Sequence, residues 1–93
     1  MSNSFDMTFT AVKDATTNAV TGVQMMAQRS GEKWTSRLLS PGEFAEMMLA
    51  SHIFPPTMAR ELYLRVRAEG HVTEENVILT DENIRFLGLN RAA

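Results

Sequence analysis

The chain has 93 residues, 44% apolar and 22% charged, with a formal net charge of −2, which suits one folded domain with one modest core and lies away from disordered compositions. The small negative charge gives no electrostatic drive toward phosphate backbones or anionic membranes, and the absence of cysteine excludes disulfides, thiolate metal sites and cysteine nucleophiles. The longest apolar runs, around Met47 to Ala50 and Val77 to Leu79, fall far short of the ~18 residues that a membrane span needs.

Residues 1–4 are small and polar and are expected to fray. Asp6 and alternating threonines stand where a signal peptide has a basic start and an apolar stretch, so export by that route is not expected and the cytoplasm is the expected compartment. Phe5, Met7, Phe9 and Ala11 alternate with Asp6, Thr8 and Thr10, the period of a half-buried strand. Asp14 to Asn18 then form a turn, Val20 to Arg29 a second strand, Ser30 to Lys33 a second turn, and Trp34 to Leu39 a third strand.

The alternative for this third of the chain is one long amphipathic helix, because Phe5, Phe9, Val12, Thr16, Ala19, Val23 and Met26 also recur at intervals of three and four. Five threonines, three valines, Asn18 and Gly22 weigh against it, each costing a few tenths to ~1 kcal/mol in a helix relative to alanine. Strands are therefore favoured over the helix.

Ser40, Pro41 and Glu43 occupy the N-cap, first-turn and N3 positions of a capping box, so a helix should start there and carry Phe44, Met47, Met48 and Leu49. Pro55 ends it, and Phe54 before the proline is pushed toward extended geometry. Thr57 is placed to cap a second helix, Met58 to Glu69, with Gly70 in the left-handed position after it. Thr73 before Glu74 and Glu75, and Thr80 before Asp81 and Glu82, predict a short turn and a final helix. On that helix Ile84 and Leu87 share a face, Phe86 or Leu89 closes over the end, and Gly88 is the C′ residue. Leu79 through Leu89 resembles the last part of a sterile-alpha-motif domain, where a similar Leu-Thr-acid-Glu run precedes a Leu-Gly-aliphatic end. The resemblance spans about a tenth of the chain, and that family's long closing helix has no counterpart after Asn90.

Chemistry-bearing patterns are few. His52 and His71, the two imidazoles, have no carboxylates at metal-ligand spacing and are read as a helix-end residue and a solvated turn residue. There is no Gly-x-Ser-x-Gly elbow, phosphate loop or dinucleotide fingerprint. The acidic residues after Thr73 and Thr80 are accounted for by helix starts. Glu61 is spaced to pair with Arg65. Arg60 and Arg67 share the outer face of the second helix, and with Arg85 they are the candidate anion-binding residues. Seven methionines exceed what a small core readily takes, and Met25, Trp34, Met47 and Met48 are the candidate partner-binding residues.

The expected fold is α+β: one domain over residues 1–93, with a short antiparallel meander in 5–39 packed on two or three helices in 40–93. The all-α arrangement with a long first helix is the alternative. The expected function is a non-catalytic protein-binding module, an adaptor or small inhibitor that presents an apolar, methionine-containing surface to a larger protein or to itself. The alternative is binding of nucleic acid or a phosphate-bearing small molecule through the arginines. No cofactor or metal is expected.

Overall fold

Phe5, Met7 and Phe9 are fully buried along one face of an extended segment whose other face carries Asp6, Thr8 and Thr10. The structure, a computed structural model describing residues 3–92, makes this segment β1 (Ser4–Lys13), an interior strand of a sheet. Alternation at period two makes a strand amphipathic across its faces. β2 (Val20–Arg29) returns antiparallel, with Phe9 opposite Met25 and Met7 opposite Ala27. The Asp14 carboxylate closes the intervening turn by accepting the amide protons of Thr16 and Thr17 at 2.8 and 2.9 Å. These backbone bonds hold its pKa below the usual carboxylate value.

Ser30 and Gly31 form a two-residue loop with φ of 44° and 82°, the twist that joins two antiparallel strands tightly. It leads to β3 (Glu32–Thr35), which is shorter than the expected Trp34–Leu39. At Ser36 the chain steps out of the ladder. The Ser36 hydroxyl accepts the Met25 amide proton at 2.9 Å and donates to the Arg37 carbonyl at 2.8 Å. Leu39 then rejoins β2 through paired bonds with Val23, while Leu38 lies over the space where a Gly22 side chain would stand.

α1 (Pro41–Ser51) begins at the expected capping box: the Ser40 hydroxyl accepts the Glu43 amide proton, and the Glu43 carboxylate accepts that of Ser40. His52 ends the helix in the left-handed region at φ 57°. α2 (Pro56–Glu69) starts two residues earlier than expected, with Pro56 in the first turn and Pro55 supplying a carbonyl to Ala59. Thr57 is therefore inside the helix and caps nothing. A proline at N1 lacks only an amide that would go unpaired there. Gly70 closes α2 at φ 84°.

The largest departure from expectation follows. Residues 71–78 are not a turn and a helix start but β4 (His71–Ile78), an edge strand antiparallel to β1. Thr73 pairs across the sheet with Thr8 instead of capping, and His71 is a strand residue opposite Thr10. α3 (Asp81–Phe86) then starts at Thr80 as expected, with Asn83 completing a second capping box. β5 (Asn90–Arg91) pairs with β3, so the segment 40–93 contains two strands as well as helices. Ser4 is already in β1 and the Asn3 carbonyl accepts from Leu79; of the expected fraying, residues 1 and 2 lie outside the described residues.

The result is an α+β fold with sheet order β4-β1-β2-β3-β5 and an N-terminal meander. α1 and α2 cover one sheet face, and Phe44, Met48, Ala59, Leu62 and Val66 meet Phe5, Met7, Phe9, Val23 and Met25 in the core. No helix among the described residues is long and apolar enough to cross a membrane.

Ser40→Ala should lower stability by on the order of 1 kcal/mol, read by chemical denaturation, because it strips the Glu43 amide of its acceptor. An unchanged midpoint would show that the cap does not hold the helix start. The Arg37 guanidinium, 2.8 Å away, and then the Ser40 amide draw the Glu43 carboxyl down to about 2. A carboxylate more acidic in the folded chain than in the unfolded one stabilises above the ordinary glutamate range, and that contribution is lost as pH falls through the folded value. The stability gap between wild type and Glu43→Gln should therefore narrow as pH falls toward 2, whereas a constant gap would refute this linkage.

Candidate functional site

The register decides which methionines face outward. Met25 lies opposite Phe9 on the helix-covered face, and Met25 and Met48 are both 0% exposed. Two of the four candidate partner-binding residues are thus core, because a packed two-layer domain takes large unbranched side chains into its interior. Met47 is half-buried against the core on α1, and Met26, one residue from Met25, emerges half-buried on the opposite sheet face. Trp34 is half-buried on the helix side of β3, opposite Ala27.

Glu32 organises the surroundings of Trp34. Its carboxylate accepts the Trp34 indole proton at 3.3 Å, pairs with Arg29 at 3.4 Å and lies 3.9 Å from Arg91 of β5. The indole bond, with the two arginines behind it, keeps the Glu32 pKa below its usual value. Arg29 in turn stacks its guanidinium 4.5 Å from the Phe5 ring centre, a cation–π contact at the rim of the core.

α3 faces this group. A cleft of about 270 Å³ is lined by Arg29, Trp34, Asp81, Ile84, Arg85 and Leu89, among others. On the other side of α3 a more open groove runs along the end of α1, between Ala50 and Ser51 and the α3 residues Glu82, Asn83, Arg85 and Phe86. Arg85 lines both. The C-terminus of α3 explains the placement: Leu89 donates its amide proton to the Ile84 carbonyl and Gly88 donates to that of Arg85, with Gly88 at φ 67°. This closure folds the residue after the glycine back onto the helix. Leu89 is accordingly buried, whereas Phe86 is 49% exposed.

The candidate arginines are not brought together. Arg60 and Arg67 are exposed on α2, with Arg67 6.0 Å from the Tyr63 ring, while Arg85 lines clefts that include neither of them. None of the three has a carboxylate partner among the described residues. Arg65 does not pair with Glu61; it reaches Glu74 of β4 at 2.7 Å and Glu69 at 4.0 Å, since the neighbouring strand offers the nearer carboxylate. The sheet face away from the helices carries Thr8, Thr10, Gln24, Met26, Gln28, His71 and Thr73 by register and has no phenylalanine, tyrosine or tryptophan among its described strand residues. No group of three or more metal-ligating side chains occurs among the described residues.

Sequence reasoning missed Arg29, Glu32, Ile84 and Phe86. The available signal was the Gly88-Leu89 pair: an aliphatic residue after a C′ glycine is the one that folds inward, which leaves Phe86 outside. No protein-family model matches the chain, and no curated protein or solved structure matches it.

Met25→Glu should prevent folding or cost at least ~3 kcal/mol, because it puts an unpaired charge in the core. Met26→Glu, one residue on and on the open face, should cost about 1 kcal/mol or less. Circular dichroism and denaturation of the two variants check this; equal effects would contradict the register.

Proposed function

We propose that the chain is a non-catalytic protein-binding module, an adaptor or small inhibitor of the cytoplasm, that seats its partner on the surface around α3. The observation that carries this reading is that Arg85 separates two concavities, one containing Trp34 and Ile84 and the other Phe86. A half-buried tryptophan and an exposed phenylalanine beside an arginine have the composition in which interfaces and their hot spots are enriched. Met47 remains a candidate contact. Met25 and Met48 act from inside, by supporting the sheet and α1 on which the surface rests.

The second reading, binding of nucleic acid or a phosphate-bearing small molecule, draws on the three arginines without carboxylate partners. It has less support, because the open sheet face offers no phenylalanine, tyrosine or tryptophan on which bases stack and the net charge is −2.

Affinity capture with the full chain distinguishes the two. A specific protein partner should bind wild type and Leu64→Asp alike, since Leu64 is exposed on α2, and should bind Phe86→Asp and Arg85→Glu about tenfold more weakly or worse. A partner indifferent to both α3 substitutions would overturn the location. Binding of nucleic acid that falls steeply with salt and is lost in Arg60→Glu with Arg67→Glu would favour the second reading.

A further inference from the structure

β4 ends the sheet on one side, and no other described strand pairs with its outer edge. The bonds from Ala11 to the Gly70 carbonyl and from Leu79 to the Asn3 carbonyl set the phase of the β1–β4 ladder. In an antiparallel pair the residues opposite each other alternate between bonded and non-bonded. With Ala11 opposite Gly70 bonded, Phe9–Val72 and Met7–Glu74 are bonded pairs, and Thr10–His71 and Thr8–Thr73 are not. His71 and Thr73 therefore turn their amides and carbonyls outward, and no backbone bond outside the strand ladders reaches them among the described residues. The opposite edge, β5, has only two residues and offers little to pair with. Edge strands of native proteins are commonly blunted by lysine, proline, short length, bulges or inward-pointing charge; in β4 the inward-pointing Glu74 is paired with Arg65 and the bulge is confined to its second half. β4 has eight residues and contains neither lysine nor proline; its one irregularity is the bulge opposite Asp6, where Asn76 sits at φ 56°.

We infer that two copies of this chain pair antiparallel through their β4 edges, about a two-fold axis at Thr73, so that one sheet runs through both. Charge selects the register. Outward-facing residues must meet one another, so the allowed registers differ by steps that carry the axis one residue along the strand. With the axis at Thr73, the regular stretch 71–74 and Glu75, the first residue of the bulge, are used: Thr73 meets its own copy, Val72 meets Glu74, and His71 comes opposite Glu75 of the second copy twice by symmetry. Moving the axis to Glu74 or Glu75 sets like carboxylates directly opposite, which destabilises a cross-strand pair, whereas imidazole–carboxylate and threonine–threonine pairs stabilise it. Moving it to Val72 leaves only residues 71–73 of β4 paired. Glu74 is already held by Arg65 at 2.7 Å on the helix side, so it does not oppose the selected register. The Thr8–Thr73 hydroxyl contact, 3.1 Å, then continues across the dimer axis on the open face. Self-pairing uses the end of the sheet opposite to β3 and Trp34, so it does not rest on the α3 reading.

Sedimentation of the full chain over a wide concentration range tests the pairing, with circular dichroism confirming that each variant is folded. Wild type should show a concentration-dependent dimer. His71→Glu and Glu75→Arg should each weaken it by about fivefold or more, since each change acts twice at the two-fold interface. The double variant His71→Glu with Glu75→Arg should restore dimerisation to near the wild-type constant, and Phe86→Asp should leave it unchanged. Hydrogen exchange at the Thr73 amide should slow as protein concentration rises. A chain that stays monomeric to millimolar concentration, a dimer insensitive to the single changes, or a double variant no better than the singles would overturn the inference.

Discussion

The Phe9 ring holds the two layers together. It meets Phe44 of α1 edge-on, with centroids 5.7 Å apart at 61°, and Phe54 of the α1–α2 break at 6.2 Å and 62°. Edge-to-face contacts of this kind add to the burial of large rings, and truncating a buried phenylalanine typically costs ~3–5 kcal/mol. That exceeds any single cap or surface ion pair in the molecule, because such contributions are typically ~1 kcal/mol or less. Since β1 is an interior strand and Phe9 sits between Met25 on β2 and Val72 on β4, the cluster also fixes where the helix pair lies on the sheet.

The local signals act as the means of delivering side chains to that cluster. The Ser40 box starts α1 so that Phe44 falls on its inner face, and His52, Pro55 and Pro56 turn the chain so that Phe54 points back toward Phe9 while Ala59, Leu62 and Val66 continue the buried stripe on α2. Arg37 strengthens the box through Glu43, but the pair is solvent-exposed and its direct contribution is small. The larger effect is positional, since Leu39 is bridged to β2 immediately before the cap and α1 therefore starts from a fixed point on the sheet.

Much of this was legible in the residues, and the exceptions have physical causes. β1 and β2 read correctly because their period-two pattern is unbroken over the buried stretch, and this pattern outweighed the helical spacing of the same residues once threonine and valine costs were counted. β4 was hidden because the bulge inserts one residue. Val72 and Val77 both face inward yet stand five apart, so the alternation changes phase at the point where Thr73, Glu74 and Glu75 imitate a helix start. β3 was overextended because Ser36 mimics a ladder partner with its hydroxyl, a substitution that composition does not announce. Of the site, Trp34 and Arg85 were visible as residue types, but Met25 was misassigned. Adjacent methionines in a strand face opposite sides, and only the register tells Met25 from Met26.

The distribution of aromatics connects fold to function. Phe5 and Phe9 of β1 point toward the helices, as Trp34 does from β3, so the sheet commits its large rings to one side and leaves mainly polar side chains, Met26 and His71 on the other. An open sheet without phenylalanine, tyrosine or tryptophan can hydrogen-bond and pack but offers little for bases to stack on. The recognition proposed above then falls to the places where the helical layer ends before the sheet does. One is the rim at Arg29, Glu32 and Trp34, which the six-residue α3 leaves partly uncovered. The other is the β4 edge, where α2 supplies Arg65 to Glu74 on the covered face but no described strand follows on the outer side. Both exist for the same reason: the helices are sized to cover Phe9 and its neighbours, and the sheet is wider than that cluster.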